Sequence, residues 1–424
     1  MGPLMSISLV VGTMIGAGIF FLPSSLAPLG WNSVIGWLVS GTGALCLAAT
    51  FRFLMDGTGE GIQHNIERVV GELPGFIALW AYWAAGFASV AALSLAGGSI
   101  IADLVFDDPE PYVSIVVALC LLWGVVLVNL AGTRSAGRFQ VISVAIKLVP
   151  LVLVAGIFGW AMTGAEQLQP MASTPVNLDN ISGAVALTLF ALLGFEAASV
   201  PVNKIRNPGR NIPLALIGGT LLVVTLYLTA STGMVMVVPW EEIAASNSPF
   251  SDMLSAFFGP VTGTVMALCI LISVTGCANG LILVGADCSY SMALRRELPK
   301  ALAHTNARGV PDIGVLLTGV VSTLLILANL SRGLTGMFTF MVLLTSGGVL
   351  VFYLMAALAT MKENQKAARW PVLVLGLLFI AYATYGSGAE TIFWIGVLLV
   401  IGLIVRWFCR RAATGEDSVI SAAG

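Results

Sequence analysis

The sequence has very little charge for its length. Only 9% of its 424 residues are Asp, Glu, Lys or Arg, whereas 58% are hydrophobic; a typical soluble chain is about 25% charged. The 19 basic and 21 acidic side chains are too few to cover a chain of this size in water, so much of its surface must face an apolar medium. This shortage excludes a soluble globular protein and predicts a protein of the lipid bilayer.

Histidine and clusters of basic residues are scarce as well. The sequence has 2 His and 6 Cys, no C-x-x-C pair and a net charge of -2. The spacings typical of metal sites and disulfide frameworks are therefore missing, and so is the basic stripe of a nucleic-acid-binding protein. We expect no metal, no cofactor and no nucleic-acid partner.

Long apolar segments, by contrast, are abundant. A helix needs roughly 20 apolar residues to cross the hydrocarbon core of a membrane, and about twelve such segments occur, separated by charged residues, proline or glycine clusters. The segment 249–258 is too short to span and is predicted to be an interfacial helix or loop. The predicted spans lie near 5–27, 33–54, 73–102, 113–131, 138–162, 181–203, 212–238, 261–292, 313–330, 336–360, 370–387 and 390–409.

The distribution of charge predicts a topology. Loops on the cytoplasmic side of a membrane protein are enriched in Lys and Arg, and 17 of the 19 basic residues here fall in alternate loops. We therefore expect an all-α, multi-pass protein of the cell membrane with both termini in the cytoplasm. The basic residues on that side are Arg52, Arg68, Arg134, Arg138, Lys204, Arg206, Arg210, Arg295, Arg296, Lys300, Arg308, Lys362, Lys366, Arg369, Arg406, Arg410 and Arg411.

Glycines interrupt the first predicted span near its middle. The stretch from Val11 to Phe20 reads VGTMIGAGIF and contains Gly12, Gly16 and Gly18. Gly12 and Gly16 form a G-x-x-x-G pair, which is typical of close packing between membrane helices. The alternative is a broken helix that lines a cavity, because unpaired backbone is tolerated at that depth only where it meets protein, water or a ligand.

The sixth predicted span contains a corresponding interruption. It reads FALLGFEAAS from Phe190 to Ser199, and Gly194 lies two residues before Glu196. Paired interruptions in corresponding positions of two halves indicate the substrate site of a transporter built from inverted repeats. The N-terminus of a half-helix suits a carboxylate and free carbonyls suit an ammonium group. An α-amino acid carries both groups on one carbon.

Two ionisable residues lie well inside predicted spans. Lys147 is about nine residues into the fifth span, roughly 13 Å from its end, and Glu196 lies in the sixth. Lys147 either extends toward the cytoplasmic interface or faces the interior of the bundle, where it could gain and lose a proton. Glu196 is either a neutral, hydrogen-bonded structural group or an acid that senses substrate or couples transport to protons.

These stretches resemble a known family, the amino acid–polyamine–organocation transporters, and within it the arginine/agmatine antiporter branch. The resemblance extends over most of the chain. Its most specific parts are GTMIGAGIF at 12–20, GFEAASV at 194–200 and IRNPGRNIP at 205–213. It implies a fold of two inverted five-helix repeats, frequently assembled as a homodimer. The repeats would occupy 1–162 and 181–360, followed by two further helices in 370–411 and a cytoplasmic tail at 412–424.

The resemblance also implies roles for individual residues. The backbone from Met14 to Gly18 would hold the carboxylate of the substrate, and carbonyls from Phe190 to Gly194 would hold its amino group. Phe190 stands in the position of an aromatic gate. Lys147 corresponds to a lysine that resembles a substitute for the sodium ion of related carriers, which favours proton coupling or ion-independent exchange.

Several positions differ from the antiporter branch. Val90 stands where the arginine/agmatine carriers have an asparagine, and Leu281 near a tryptophan that stacks on the guanidinium; Thr13 and Ala17 replace an asparagine and a serine. Fewer polar and cation–π partners for a cationic side chain predict a neutral, apolar amino acid as substrate. The predicted substrate-binding residues are Thr13, Met14, Ile15, Gly16, Ala17, Gly18, Gly86, Val90, Phe190, Ala191, Leu193, Gly194, Leu281 and Thr345, and the predicted coupling residues are Lys147 and Glu196.

The sequence therefore predicts a secondary active amino acid transporter, a proton-coupled symporter or an exchanger, that works by alternating access. The alternative is an arginine/agmatine-type antiporter of cationic amino acids or polyamines. A membrane-embedded enzyme would need a nucleophile–base or metal constellation, and the spans have no histidine and no repeated acidic pair. A channel would show rings of charge or a repeated filter motif.

Overall fold

The computed structural model describes residues 3–55, 62–106, 109–132, 136–165, 167–196, 207–363 and 366–423, and every regular element in these ranges is helical. In the first part of the chain, the α-helices are α1 (Pro3–Met14), α2 (Gly18–Leu26), α3 (Trp31–Leu54), α4 (Ile62–Val70), α5 (Glu72–Val105), α6 (Pro111–Leu130) and α7 (Ala136–Trp160).

The second part of the chain adds ten α-helices to the described structure. A π-helical turn, Leu214–Gly218, joins the ninth to the tenth. They are α8 (Leu178–Leu192), α9 (Pro208–Pro213), α10 (Gly219–Val237), α11 (Trp240–Ala245), α12 (Pro249–Phe258), α13 (Pro260–Leu294), α14 (Asp312–Ala328), α15 (Gly333–Glu363), α16 (Trp370–Gly386) and α17 (Gly388–Ala423).

The predicted all-helical, multi-pass architecture is confirmed. The described residues contain ten helical stretches that are long and apolar enough to cross a membrane, and the shorter apolar helices α8 and α14 coincide with the two remaining predicted spans. The segment 249–258, predicted to be an interfacial helix or loop, is the short helix α12. The sequence did not predict α4, because a nine-residue helix with the polar sequence IQHNIERVV falls outside a search for long apolar runs.

The helices form a buried centre and an exposed periphery. α5 and α15 lie along each other at the centre, where a Cβ atom at Gly348 would be only 2.8 Å from the Cβ atom of Ala85. Most residues of these two helices are buried, whereas α17 exposes large apolar side chains such as Phe393 and Phe408. The centre is therefore where polar groups can be sheltered from lipid.

The first and sixth spans both lose helical geometry near the middle of the fold. α1 ends at Met14 and α2 begins at Gly18; α8 ends at Leu192, and Gly194 has a φ of +107°. The predicted span 181–203 is therefore not one continuous helix, and its residues 197–203 lie outside the described ranges.

The two interruptions touch each other. A Cβ atom at Gly18 would be 2.8 Å from the Cα atom of Ala191, and one at Gly194 would be 2.8 Å from the carbonyl oxygen of Thr13. The absence of side chains at both glycines allows this approach.

Candidate functional site

A cavity of about 1020 Å³ lies beside the two interruptions. It is bounded by residues of α1, α2, α5, α6, α7, α8, α13 and α15. Fourteen of the sixteen predicted site residues line it, namely Thr13, Met14, Gly16, Ala17, Gly18, Gly86, Lys147, Phe190, Ala191, Leu193, Gly194, Glu196, Leu281 and Thr345.

The structure places the other two predicted residues, Ile15 and Val90, away from the cavity wall. Ile15 is fully buried, and its backbone oxygen accepts a 3.4 Å hydrogen bond from the Ser273 hydroxyl on α13. Val90 is also fully buried and packs in an apolar cluster with Leu122 and Ile282. It lies one helical turn after Gly86 on α5, packs against residues of α6 and α13, and is not among the residues that line the cavity.

Side chains from distant helices hold the carbonyl groups of the first interruption. Lys147 Nζ donates to the carbonyl oxygen of Gly12 at 2.9 Å, and the Tyr227 hydroxyl donates to that of Met14 at 3.0 Å. The N–H groups at the start of α2, by contrast, have no such partner, since no side chain caps the N-terminus at Ala17 in the described residues. An uncapped helix N-terminus that faces a cavity is suited to bind a carboxylate.

Thr13 joins the two interruptions. Its hydroxyl lies 2.9 Å from the carbonyl oxygens of both Val10 and Gly194, to which it donates. At the second interruption, the Leu193 N–H donates to the Phe190 carbonyl at 3.2 Å. The broken ends of the two helices are thereby fixed relative to each other.

Glu196 is buried behind the second interruption and accepts several hydrogen bonds. Its Oε2 accepts from the Gly194 N–H at 3.1 Å and from the Tyr353 hydroxyl at 2.9 Å, while its Oε1 accepts from the Tyr82 hydroxyl at 3.4 Å. The residue is only 6% exposed. This carboxyl group therefore connects the end of α8 to both central helices, α5 and α15.

The sequence reading missed both tyrosines. Tyr82 lies four residues before Gly86 on α5, and Tyr353 lies eight residues after Thr345 on α15. Residues at such spacings share one face of a helix. Helical spacing from the predicted site residues is thus the signal that points to them.

Lys147 lies inside the bundle and does not reach the protein surface. It is 3% exposed, and it forms no ion pair with a carboxylate in the described part of the chain. Cys277 lies close by on α13, with its Sγ 3.1 Å from where a Cβ atom of Gly16 would be. Lysine, cysteine and the first interruption thus share one region of the cavity wall.

α2 makes aromatic and hydroxyl contacts with its neighbours beside Phe190, which lines the cavity. The ring of Phe338 packs against Phe21 and Phe190, with centroid distances of 5.6 and 6.4 Å. Farther along α2, the Ser24 hydroxyl donates to the Ser246 carbonyl at 2.8 Å. Phe190, the predicted aromatic gate, is therefore part of a three-ring layer.

Two of the motifs that resemble the transporter family extend beyond the described residues, at 197–200 and 205–206. Glu196 and the stretch from Asn207 onward are described.

Comparison with known proteins gives a consistent result over most of the chain. A family model described as amino acid permease matches residues 1–395. The putrescine transporter PotE of Escherichia coli (strain K12) is 26% identical over 95% of this chain and 94% of its own length. The cadaverine/lysine antiporter of the same organism is 29% identical over 77% of this chain and 74% of its own length. The serine/threonine exchanger SteT of Bacillus subtilis (strain 168) is 27% identical over 86% of this chain and 83% of its own length.

Proposed function

The chain belongs to the amino acid permease family, and we propose that it carries neutral amino acids across the membrane by alternating access. Its family and relatives are transporters, so the chain is a transporter rather than an enzyme. The names of the relatives include both cationic and neutral substrates. The choice between these classes therefore depends on the cavity.

The charge of the cavity wall is the observation that supports a neutral substrate. Among the described lining residues, Lys147 is the only basic and Glu196 the only acidic side chain. Glu196 already accepts hydrogen bonds from Gly194, Tyr82 and Tyr353. A cationic side chain in this cavity would be desolvated without a free carboxylate to pair with, which is costly.

The backbone of the two interruptions provides a site for the groups that all amino acids share. The uncapped N-terminus of α2, at Gly16, Ala17 and Gly18, offers N–H groups and a partial positive charge to a carboxylate. The carbonyl groups at the C-terminal end of α8 offer acceptors to an ammonium group. We assign the carboxylate and the amino group of the substrate to the space between the start of α2 and the end of α8. We assign the predicted role of an aromatic gate to Phe190.

Coupling to protons is assigned to Lys147 and Glu196. Each is a buried ionisable group that bonds to an interrupted helix, Lys147 to the first and Glu196 to the second. A change in the charge of either group alters the contacts at an interruption, and this would bias the balance between inward-facing and outward-facing states. In this proposal, the repeats 1–162 and 181–360 move relative to each other. The protein lies in the cell membrane as a homodimer, with both termini of each chain in the cytoplasm.

The alternative is an antiporter of cationic amino acids or polyamines. The names of two relatives, a putrescine transporter and a cadaverine/lysine antiporter, favour it. In that case the cation would have to displace a tyrosine from Glu196, the one acidic group among the described lining residues.

Transport by the purified protein in liposomes distinguishes these alternatives. We expect saturable uptake of radiolabelled neutral amino acids, stimulated by a pH gradient, and little uptake of arginine or putrescine. Glu196→Gln keeps the size of the side chain but cannot ionise, so it should transport without responding to the gradient. Arginine or putrescine exchange in the absence of neutral uptake would establish the alternative, and a single-channel conductance would contradict both.

A further inference from the structure

Three glycines line the cavity between α6 and α13, and all three leave open space. They are Gly124 on α6 and Gly276 and Gly280 on α13, and a Cβ atom built at any of them would meet nothing within 4 Å. Gly98 on α5 is different, because its Cβ would lie 2.5 Å from that of Ala118. Gly98 permits close packing of two helices, whereas these three glycines widen a cavity.

We call this part of the cavity the annex and define it by Leu121, Gly124, Val125, Gly276, Asn279 and Gly280. It is continuous with the space beside the first interruption. Cys277 marks the border, since it follows Gly276 on α13 and its Sγ lies 3.1 Å from the Cβ position of Gly16. A ligand whose carboxylate lies at the start of α2 would therefore have the annex beside it.

The annex is apolar except for one oriented amide. Asn129 Nδ2 donates to Asn279 Oδ1 at 2.9 Å and to the Val125 carbonyl at 2.9 Å. The oxygen of Asn279 is thus occupied, while its Nδ2 forms no hydrogen bond within the described residues. None of the six residues that define the annex is charged. Such walls accept a neutral side chain and disfavour a cationic one.

We propose that the annex receives the side chain of the transported amino acid and selects large neutral side chains over small ones. This inference rests on the proposed transport of amino acids and adds the size of the substrate to it. The glycines provide the volume and the apolar walls provide the stabilisation, because a larger apolar side chain removes more surface from water. Asn279 provides a hydrogen-bond donor for a side chain that carries an acceptor.

Filling the annex tests the proposal. Gly280→Leu places an apolar side chain in the open space, with Gly280→Ala as a milder variant should the first fold poorly. One methylene group more or less in an apolar pocket changes discrimination by about 10-fold to 200-fold. We expect KM for phenylalanine and leucine to rise by about 10-fold or more in Gly280→Leu, with a smaller rise in Gly280→Ala. The KM for alanine should stay at the wild-type value.

Gly156→Leu is the matched control. Gly156 lies on α7, its Cβ would also meet nothing within 4 Å, and it does not line the cavity. Its substitution adds the same side chain to a membrane helix without filling the annex. Transport of alanine and phenylalanine should keep the wild-type ratio in this variant.

Other outcomes distinguish a failure of the annex proposal from a failure of the proposed function. Val128 and Ile272 at the cavity wall are 51% and 42% exposed, so a lipid chain could occupy the annex instead. If Gly280→Leu affects alanine and phenylalanine equally, or neither of them, the annex does not select side chains and the inference is overturned. A wild-type protein that transports no neutral amino acid would instead contradict the proposed function.

Discussion

The hydroxyl of Tyr353 donates a 2.9 Å hydrogen bond to the buried carboxyl group of Glu196. The same carboxyl group is bonded to the Gly194 N–H at the interruption of the sixth span. α15 therefore contacts the broken end of α8 through one polar group. Because hydrogen bonds inside an apolar region are strong and costly to lose, this contact would hold the second interruption in one geometry.

Replacement of Tyr353 by phenylalanine should release that constraint. Phenylalanine keeps the ring, which packs against Phe51 and Phe195 at 5.4 and 5.3 Å, and removes only the hydroxyl. A hydrogen bond contributes about 0.5–1.5 kcal/mol, and about 1.5–3 kcal/mol when one partner is charged, so Tyr353→Phe should lower the melting temperature in detergent. Tyr82→Phe should have a smaller effect, since its bond is longer at 3.4 Å. A larger fall in melting temperature for Tyr82→Phe than for Tyr353→Phe would show that the lengths of the two hydrogen bonds do not reflect their strengths.

Gly194 should not tolerate a side chain. Its φ of +107° is unfavourable for other residues, and a Cβ atom would lie 2.8 Å from the Thr13 carbonyl oxygen. Strained backbone of this kind costs about 1–3 kcal/mol, so Gly194→Ala should lower both the melting temperature and the rate of uptake. Gly183→Ala on α8 is the control, because its Cβ meets nothing within 4 Å and alanine favours helix. Equal stability of the two variants would mean that the interruptions do not need to touch.

The sequence predicted the spans well because each depends on a local property, an apolar run of sufficient length. It also pointed to Gly18 and Gly194, since glycine-containing interruptions occur at corresponding positions of two spans and one of them lies beside a carboxylate. It could not identify Tyr227, whose hydroxyl bonds to Met14 across 213 residues of chain, or the pair of Asn129 and Asn279. These contacts depend on how helices pack, and no local periodicity encodes that. Val90 is outside the cavity wall although it is one turn from Gly86 on α5, because the packing of Leu122 and Ile282 around it decides what it contacts.

Lys147 combines a hydrogen bond with a charge, and two substitutions separate these roles. Lys147→Met keeps the apolar stem but leaves the Gly12 carbonyl without its donor, at a cost of about 1–3 kcal/mol. Lys147→Arg keeps a donor and a charge but cannot release a proton. If proton release is part of the cycle, both variants should lose uptake driven by a pH gradient, measured in liposomes. Unchanged pH-driven uptake in either variant would restrict Lys147 to a structural role.

Arg406 and Glu297 form a largely buried ion pair away from the cavity. Arg406 Nε lies 3.2 Å from Glu297 Oε1, and the guanidinium group also lies over the ring of Phe76 at 5.1 Å. Arg406→Met keeps an apolar stem beside Phe76 but leaves the carboxylate buried without this partner. Breaking a buried pair costs about 3–5 kcal/mol, so a marked fall in melting temperature is expected. Combining Arg406→Met with Glu297→Gln should restore part of the loss, because the buried carboxylate, which would keep only Arg410 at 3.7 Å, is then absent.

The effect of Arg406→Met should depend on pH. Burial raises the pKa of Glu297 above its ordinary value of 4.5, and Arg406 opposes that rise. A carboxyl group with a raised pKa binds its proton more tightly in the folded state, so its contribution to stability falls as pH rises from the ordinary to the raised pKa. Without Arg406 the pKa of Glu297 should rise further. Between pH 4.5 and neutrality, the melting temperature of Arg406→Met should therefore decrease more steeply with pH than that of the wild type. The double variant provides the reference slope, since glutamine does not titrate. If Arg406→Met and the double variant show the same slope, Glu297 is not the group that responds.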